Sequence, residues 1–274
     1  MTDRARGRLV GVIHLPPLPG SPRSALSCAD VARAAAKDAR ALADAGFDLA
    51  MIENFGDVPF FPSEVPPVTV SAMTACAVAV REACPGIAVG INVLRNDSRA
   101  ALAIAAAVGA ACIRVNVHTG ARVTDQGIVE GRAAETLRER RALGAETVAI
   151  WADVNVKHSA ALAPRDVGQE AEDLVRRALA DAVLVTGWGT GKGVDEAELA
   201  RVSQAVREAV GGGGGAGSPL VLVASGVTVD SIPRVAPLCD GVIVGSALRT
   251  DGVAGGAIDP REAAAFASAF RRAF

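Results

Sequence analysis

The rare polar residues of this 274-residue chain fall in a pattern. The three histidines are His14, His118 and His158, and the five asparagines are Asn54, Asn92, Asn96, Asn116 and Asn155. Two of the three lysines are Lys157 and Lys192. Each of these residues ends, or closely follows, a short apolar run rich in Val, Ile, Leu and Ala. Glu53 and Asp153 occupy the same kind of position and are the best general acid–base candidates, with His14 beside them in the catalytic set. A carboxylate held near other charges and partly out of water can be tuned toward neutrality. Lys157 suits three roles that the sequence leaves open: electrophile, phosphate partner or Schiff-base amine.

If those runs are β-strands, alternation decides what faces what. Arg114, Asn116 and His118 then share one face, as do Asp153, Asn155 and Lys157. Met51 shares a face with Glu53, and Gly90 with Asn92. The opposite faces are apolar. Asn92, Arg114, Asn116, His118, Asn155 and His158 are therefore expected to hold substrate. The competing reading is that Arg114 and Asp153 form a buried structural ion pair beneath the site. There is no H-x-H or H-x-x-x-H pair, and no cofactor is implied. A divalent cation held by Glu53, Asp153 and asparagine oxygens is the one metal arrangement the pattern could accommodate.

A second set of residues suits phosphate. One run ends in Ser225-Gly226-Val227-Thr228 and another in Gly245-Ser246-Ala247-Leu248, where small residues let backbone N–H groups approach an anion. The stretch from Thr186 to Gly193 resembles a P-loop, but its glycine spacing is one residue short. Gly193 also stands where Ser or Thr would hold Mg²⁺. Thr186, Gly187, Gly191 and Lys192 are better read as an anion- or substrate-contacting loop.

Positioning all of these takes eight elements of one kind. The apolar runs are 9–14, 49–54, 87–93, 111–117, 148–156, 182–186, 220–225 and 241–245. They are short and nearly continuous, as strands buried on both faces should be. Helix-like spacing fills 29–45, 67–83, 97–108, 130–143, 166–180, 195–209, 228–236 and 260–273. Strict alternation predicts a single α/β domain over 1–274, a (β/α)₈ TIM barrel, with a doubly wound open sheet as the competitor. Two long loops, 55–66 and 118–129, read as lids or binding loops. Pro16 to Pro22 is a stiff loop over the mouth. The glycine run 211–215 is a flexible connection on the opposite face.

Composition agrees. Half of the residues are hydrophobic but only 3% are aromatic, so the core must be built of small aliphatics. A formal net charge of −2 gives no basis for a nucleic-acid or membrane surface. No run approaches the ~20 apolar residues of a membrane span, and no signal peptide is apparent, so a cytoplasmic protein is expected. The five cysteines show no CxxC pairing and read mostly as buried, inert thiols.

Longer stretches resemble the BtpA family, including its SgcQ-like bacterial members. They are His14-Leu15-Pro16-Pro17-Leu18-Pro19-Gly20-Ser21-Pro22, Glu53-Asn54 with Phe55-Gly56-Asp57, and Arg114-Val115-Asn116 with Thr124-Asp125-Gln126-Gly127. Ala152-Asp153-Val154 with Val156-Lys157-His158, Thr186-Gly187 with Thr190-Gly191, and Ser225-Gly226 with Gly245-Ser246 complete them. The resemblance implies a phosphate-binding TIM barrel over nearly the whole chain and says less about reaction. The family takes its name from photosystem I accumulation, whereas the Arg-for-Lys and Ala/Gly bias here suits a high-GC bacterium.

The expectation is an enzyme acting on a phosphorylated sugar, nucleoside or nucleotide, with glycosyl transfer or cleavage at a ribosyl carbon ahead of isomerase or lyase chemistry. Its partner would be a phosphorylated small molecule, and it would work as a homo-oligomer. The alternative is a non-catalytic assembly or regulatory factor.

Overall fold

The computed structural model describes residues 7–163, 165–187, 193–211 and 217–274. Gly191 and Lys192, and most of the glycine run 211–215, therefore lie outside the described residues.

Eight parallel strands close into a barrel. They are β1 (Arg8–His14), β2 (Leu49–Glu53), β3 (Ala88–Asn92), β4 (Cys112–Val115), β7 (Ala149–Val154), β9 (Ala182–Val185), β10 (Leu220–Val223) and β11 (Gly241–Val244). The outer helices are α1 (Cys28–Ala45), α2 (Pro67–Ala83), α3 (Ser98–Val108), α4 (Ala133–Ala142), α5 (Val167–Arg176), α6 (Glu196–Ala209), α7 (Ile232–Val235) and α8 (Pro260–Ala273). Local chemistry sets the helix ends. Asp97, Asp166, Asp195 and Asp259 each accept a first-turn amide, which satisfies donors that have no partner inside the helix. An aspartate before a strand ties it to its neighbour: Asp48 to the Leu9 amide, Asp181 to Ile150 and Asp240 to Val221.

The core has two parts, as the alternation requires. Outward residues such as Ile13, Ile52, Ile91 and Val183 join the helix faces in one large cluster. Inward residues fill the barrel: Val10 and Val12, Leu49 and Met51, Cys112, Trp151, Leu184, Leu222 and Ile243. Gly90 is one of this inner set, and a Cβ there would lie 2.8 Å from Met51 Cε and 2.9 Å from Cys112 Sγ. All five thiols are free and four are buried; burial pushes Cys76 up to about 12 and Cys239 to about 11. Among the described residues no helix is long and apolar enough to cross a membrane.

The predicted lid after β4 is folded. Its residues form β5 (Ala121–Thr124) and β6 (Gly127–Glu130), and β5 also pairs with β8 (Ser159–Ala161) from the loop after β7. Two βα loops are thus joined into one three-stranded antiparallel sheet above the mouth.

Candidate active site

One further inward step along each strand brings the last residue into the mouth. In order around the ring these positions are His14, Glu53, Asn92, Arg114, Asp153, Thr186, Ala224 and Gly245. Arg114 is central and 5% exposed. Its Nε and Nη2 donate to Asp153 Oδ2 and Oδ1 at 3.0 and 2.9 Å, and its Nη1 donates to Glu53 Oε1 at 3.2 Å. Burial by itself would lower the guanidinium pKa, but the Asp153 and Glu53 carboxylates outweigh it and hold the proton on. The Arg114–Asp153 ion pair considered from sequence therefore exists, as part of a triad with Glu53.

Two asparagines extend the triad. Asn92 Nδ2 donates to Glu53 Oε1 at 3.0 Å, and Asn116 Nδ2 to Asp153 Oδ2 at 2.8 Å. Because a carboxylate only accepts, these bonds fix both amide orientations. The two carbonyl oxygens, Asn92 Oδ1 and Asn116 Oδ1, are buried with no partner among the described residues. Buried acceptors left unpaired are costly and uncommon, so these two oxygens mark the mouth as a candidate binding site.

His14 closes the ring. Gly255 N–H donates to its Nδ1 at 3.1 Å, which puts the proton of the neutral imidazole on Nε2, 4.0 Å from Glu53 Oε2. Burial, then the charges of Arg249, Lys157 and Arg114, hold its pKa well below the usual value. His14 is thus a neutral Nε2–H donor at pH 7. Its ring lies against Phe55, tilted by 33° with centroids 4.2 Å apart, and a Cβ on Gly245 would meet its Cε1 at 3.1 Å. Lys157 lies near this cluster; burial, then Arg114, lowers its pKa.

The other predicted residues disperse. The common face of Arg114, Asn116 and His118 holds for Arg114 and Asn116, which meet on Asp153, and fails at His118, beyond the end of β4 at Val115. His118 is fully buried with Nε2 3.1 Å from the Ala178 carbonyl, in the segment between α5 and β9. The face shared by Asp153, Asn155 and Lys157 fails at Asn155, whose φ of 60° turns the chain. Asn155 instead accepts from Arg122 Nη2 and donates to Glu198. With Glu170, Lys157 and His158, these line a separate polar cavity of about 400 Å³. Asn54 and Asn96 pin loops: Asn54 Oδ1 accepts the Leu94 amide, and Asn96 exchanges two bonds with the Val117 backbone.

Of the residues expected to bind phosphate, Ser225 and Gly187 come together, and the Gly187 N–H donates to Ser225 Oγ at 3.1 Å. Thr186 Oγ1 donates to the Asn155 carbonyl at 3.1 Å. These two groups serve the architecture. Gly226 adopts φ 69°, and Ser246 opens a single turn of 3₁₀ helix.

Two buried arginines outside the predicted set complete the mouth. Arg95, from the loop after β3, donates Nη2 to the Lys157 carbonyl at 2.8 Å, and its Nε has no partner among the described residues. Arg249 donates to the carbonyls of Gly245, Val12 and Gly255, and so fixes the loop after β11. The signal for Arg95 was its place between Asn92 and Asn96, in a mouth loop rather than on a helix. Among the described residues no three His, Cys, Asp or Glu side chains are grouped to hold a metal.

Closed topology with a charged C-terminal rim defines a (β/α)₈ barrel. Solved structures agree on the fold. The tryptophan synthase α subunit of Legionella pneumophila is similar at TM-score 0.60 and 14% identity, over 98% of this chain and 93% of that one. Phosphoribosyl anthranilate isomerase of Thermus thermophilus is similar at TM-score 0.55 and 12% identity, over 95% and 97%. The chain belongs to the BtpA family, whose model matches residues 5–272. The photosystem I biogenesis protein BtpA of Synechocystis sp. is 41% identical over 268 residues, 98% of this chain and 89% of that protein.

Proposed function

We propose that this chain is an enzyme acting on a phosphorylated sugar, nucleoside or nucleotide, with its chemistry at a ribosyl carbon. The observation that carries this reading is the buried Glu53–Arg114–Asp153 triad flanked by the two unpaired amide oxygens of Asn92 and Asn116. Burying three charges costs several kcal/mol per ion before pairing. A barrel kept only as a scaffold gains nothing from them. A hydroxylated ligand would give Asn92 Oδ1 and Asn116 Oδ1 their donors. Glu53 and Asp153 would face positive charge developing at the ribosyl carbon, and Glu53 Oε2, which Arg114 does not use, is the freer oxygen. His14 Nε2–H would donate to an oxygen or nitrogen of the departing or entering group. Lys157 and Arg95 would hold an anionic group, and the backbone at Gly226, Gly245 and Ser246 the phosphate. Isomerisation or aldol-type cleavage would use the same groups and is the next reading. The non-catalytic reading rests on the name of the Synechocystis relative. The protein is proposed to work in the cytoplasm as a homo-oligomer.

The test is a thermal-shift screen with ribose 5-phosphate, other sugar phosphates and nucleoside monophosphates. A true ligand at 100 times its Kd stabilises by about 2.7 kcal/mol. Glu53→Gln and Asp153→Asn should bind the hit and lose turnover by roughly 10²–10⁴-fold. If no phosphorylated compound raises the Tm, and both variants keep full biological function, the enzyme reading fails.

A further inference from the structure

Beside the triad lies a cavity of about 560 Å³, bounded by the β1–α1 loop, α1, Phe55 and the segment Gly255–Ala257. One imidazole stands between the two spaces. His14 looks toward Glu53 on one side, and with Phe55 it lines the cavity on the other. Apart from His14, the acid–base and phosphate groups described above make no use of this space. Its lining is mainly apolar, with Leu15, Pro16, Pro17, Ala34 and Ala35 besides Phe55, and it takes in the cations Arg23 and Lys37. One carboxylate enters this lining. Asp38 is 6% exposed and accepts the Ile258 amide at 3.0 Å through Oδ1. Burial raises its pKa.

We infer that this cavity is a subsite for a flat, nitrogen-bearing aromatic ring system, the base of a nucleotide whose ribosyl phosphate lies over the Glu53–Arg114–Asp153 triad. The inference rests on the ribosyl-phosphate reading and adds the group attached to the sugar. Its volume falls within the ~300–1,000 Å³ of small-molecule sites, which are mainly apolar with a few placed polar groups. Ring and proline walls suit a planar occupant. Asp38 decides between occupants. A hydrocarbon chain would leave a buried carboxylate facing apolar carbon, whereas ring N–H or exocyclic amino donors would pair with it. His14 then stands where base and sugar join, touching both spaces.

Three probes test this by calorimetric titration of the full chain: ribose 5-phosphate, adenosine 5′-monophosphate and free adenine. The nucleotide should bind at least about tenfold more tightly than ribose 5-phosphate, the scale of one hydrogen bond to a charged group. Ala34→Phe, which fills the cavity, and Asp38→Asn, which keeps an acceptor for Ile258, should each abolish that gain. Both should leave ribose 5-phosphate binding unchanged, which also shows that the variants are folded. Equal affinities for nucleotide and ribose 5-phosphate, or a gain that survives Ala34→Phe, would overturn the subsite. If neither phosphorylated compound binds but adenine does, and Ala34→Phe removes it, the subsite stands and the ribosyl-phosphate reading falls. If none of the three binds, both fall.

Discussion

The barrel mouth consists of two unlike arcs. From β1 to β7 the innermost ring carries His14, Glu53, Asn92, Arg114 and Asp153, all buried and bonded to one another or to backbone. From β9 to β11 the same positions hold Thr186, Ala224 and Gly245, with Ser225, Gly226 and Ser246 just beyond. The strands are equivalent and only the side chains differ. The first arc concentrates charge where water is excluded, which makes its groups strong and also costly. The second has almost no side chain, so backbone can approach a ligand. A barrel can therefore separate the group that reacts from the group that anchors by changing one residue per strand.

Three experiments would break or sharpen this contrast. The largest effect should come from Arg114→Met, which strands Glu53 and Asp153 without their shared partner. A loss of about 3–5 kcal/mol in urea unfolding is expected. A deficit under about 1 kcal/mol would mean that the triad is solvated and the arcs are less different than they look.

Next comes Ser246→Asp, in the second arc. A carboxylate there should weaken phosphorylated ligands by about tenfold or more through like-charge repulsion and leave the unphosphorylated sugar unaffected. Equal losses for both, measured by calorimetry, would place the phosphate elsewhere.

The smallest effect concerns His14. In the unfolded chain a histidine takes up a proton near pH 6.5, but in the fold burial and three neighbouring cations oppose this. The unfolded state therefore binds more protons, and the stability contributed above pH 6.5 is lost as the pH falls below it. His14→Gln removes that dependence. The stability gap between native protein and variant should narrow by up to ~1.4 kcal/mol per pH unit between pH 6.5 and 5.5. Parallel profiles of urea midpoints would show that His14 is protonated in the fold.

The eight barrel strands were legible in the sequence to within a residue or two at each end, because strands covered on both faces must be apolar throughout. The first ring was legible for the same reason: a Glu, Asn, Arg or Asp closing such a run has only the mouth to face. Alternation carried past the strand ends misled, because Asn155 at φ 60° and the end of β4 at Val115 break the period. The β5–β6–β8 sheet was read as loop because its strands are only three or four residues long. Such strands are stabilised by contact with one another across the mouth, which no local pattern records. Arg95 and Arg249 were not among the expected site residues, since their burial depends on loops from other parts of the chain.

His14 has one more consequence, concerning the order in which the molecule is made. It belongs to the first strand, yet the amide that sets its tautomer is Gly255, 241 residues later. Arg249 likewise reaches back 237 residues to the Val12 carbonyl. A growing chain could shape most of its wall, triad included, and still lack an oriented imidazole until its last segment arrives. The candidate site is then a late product of synthesis, and a chain truncated before Gly255 would have most of a barrel without a finished His14.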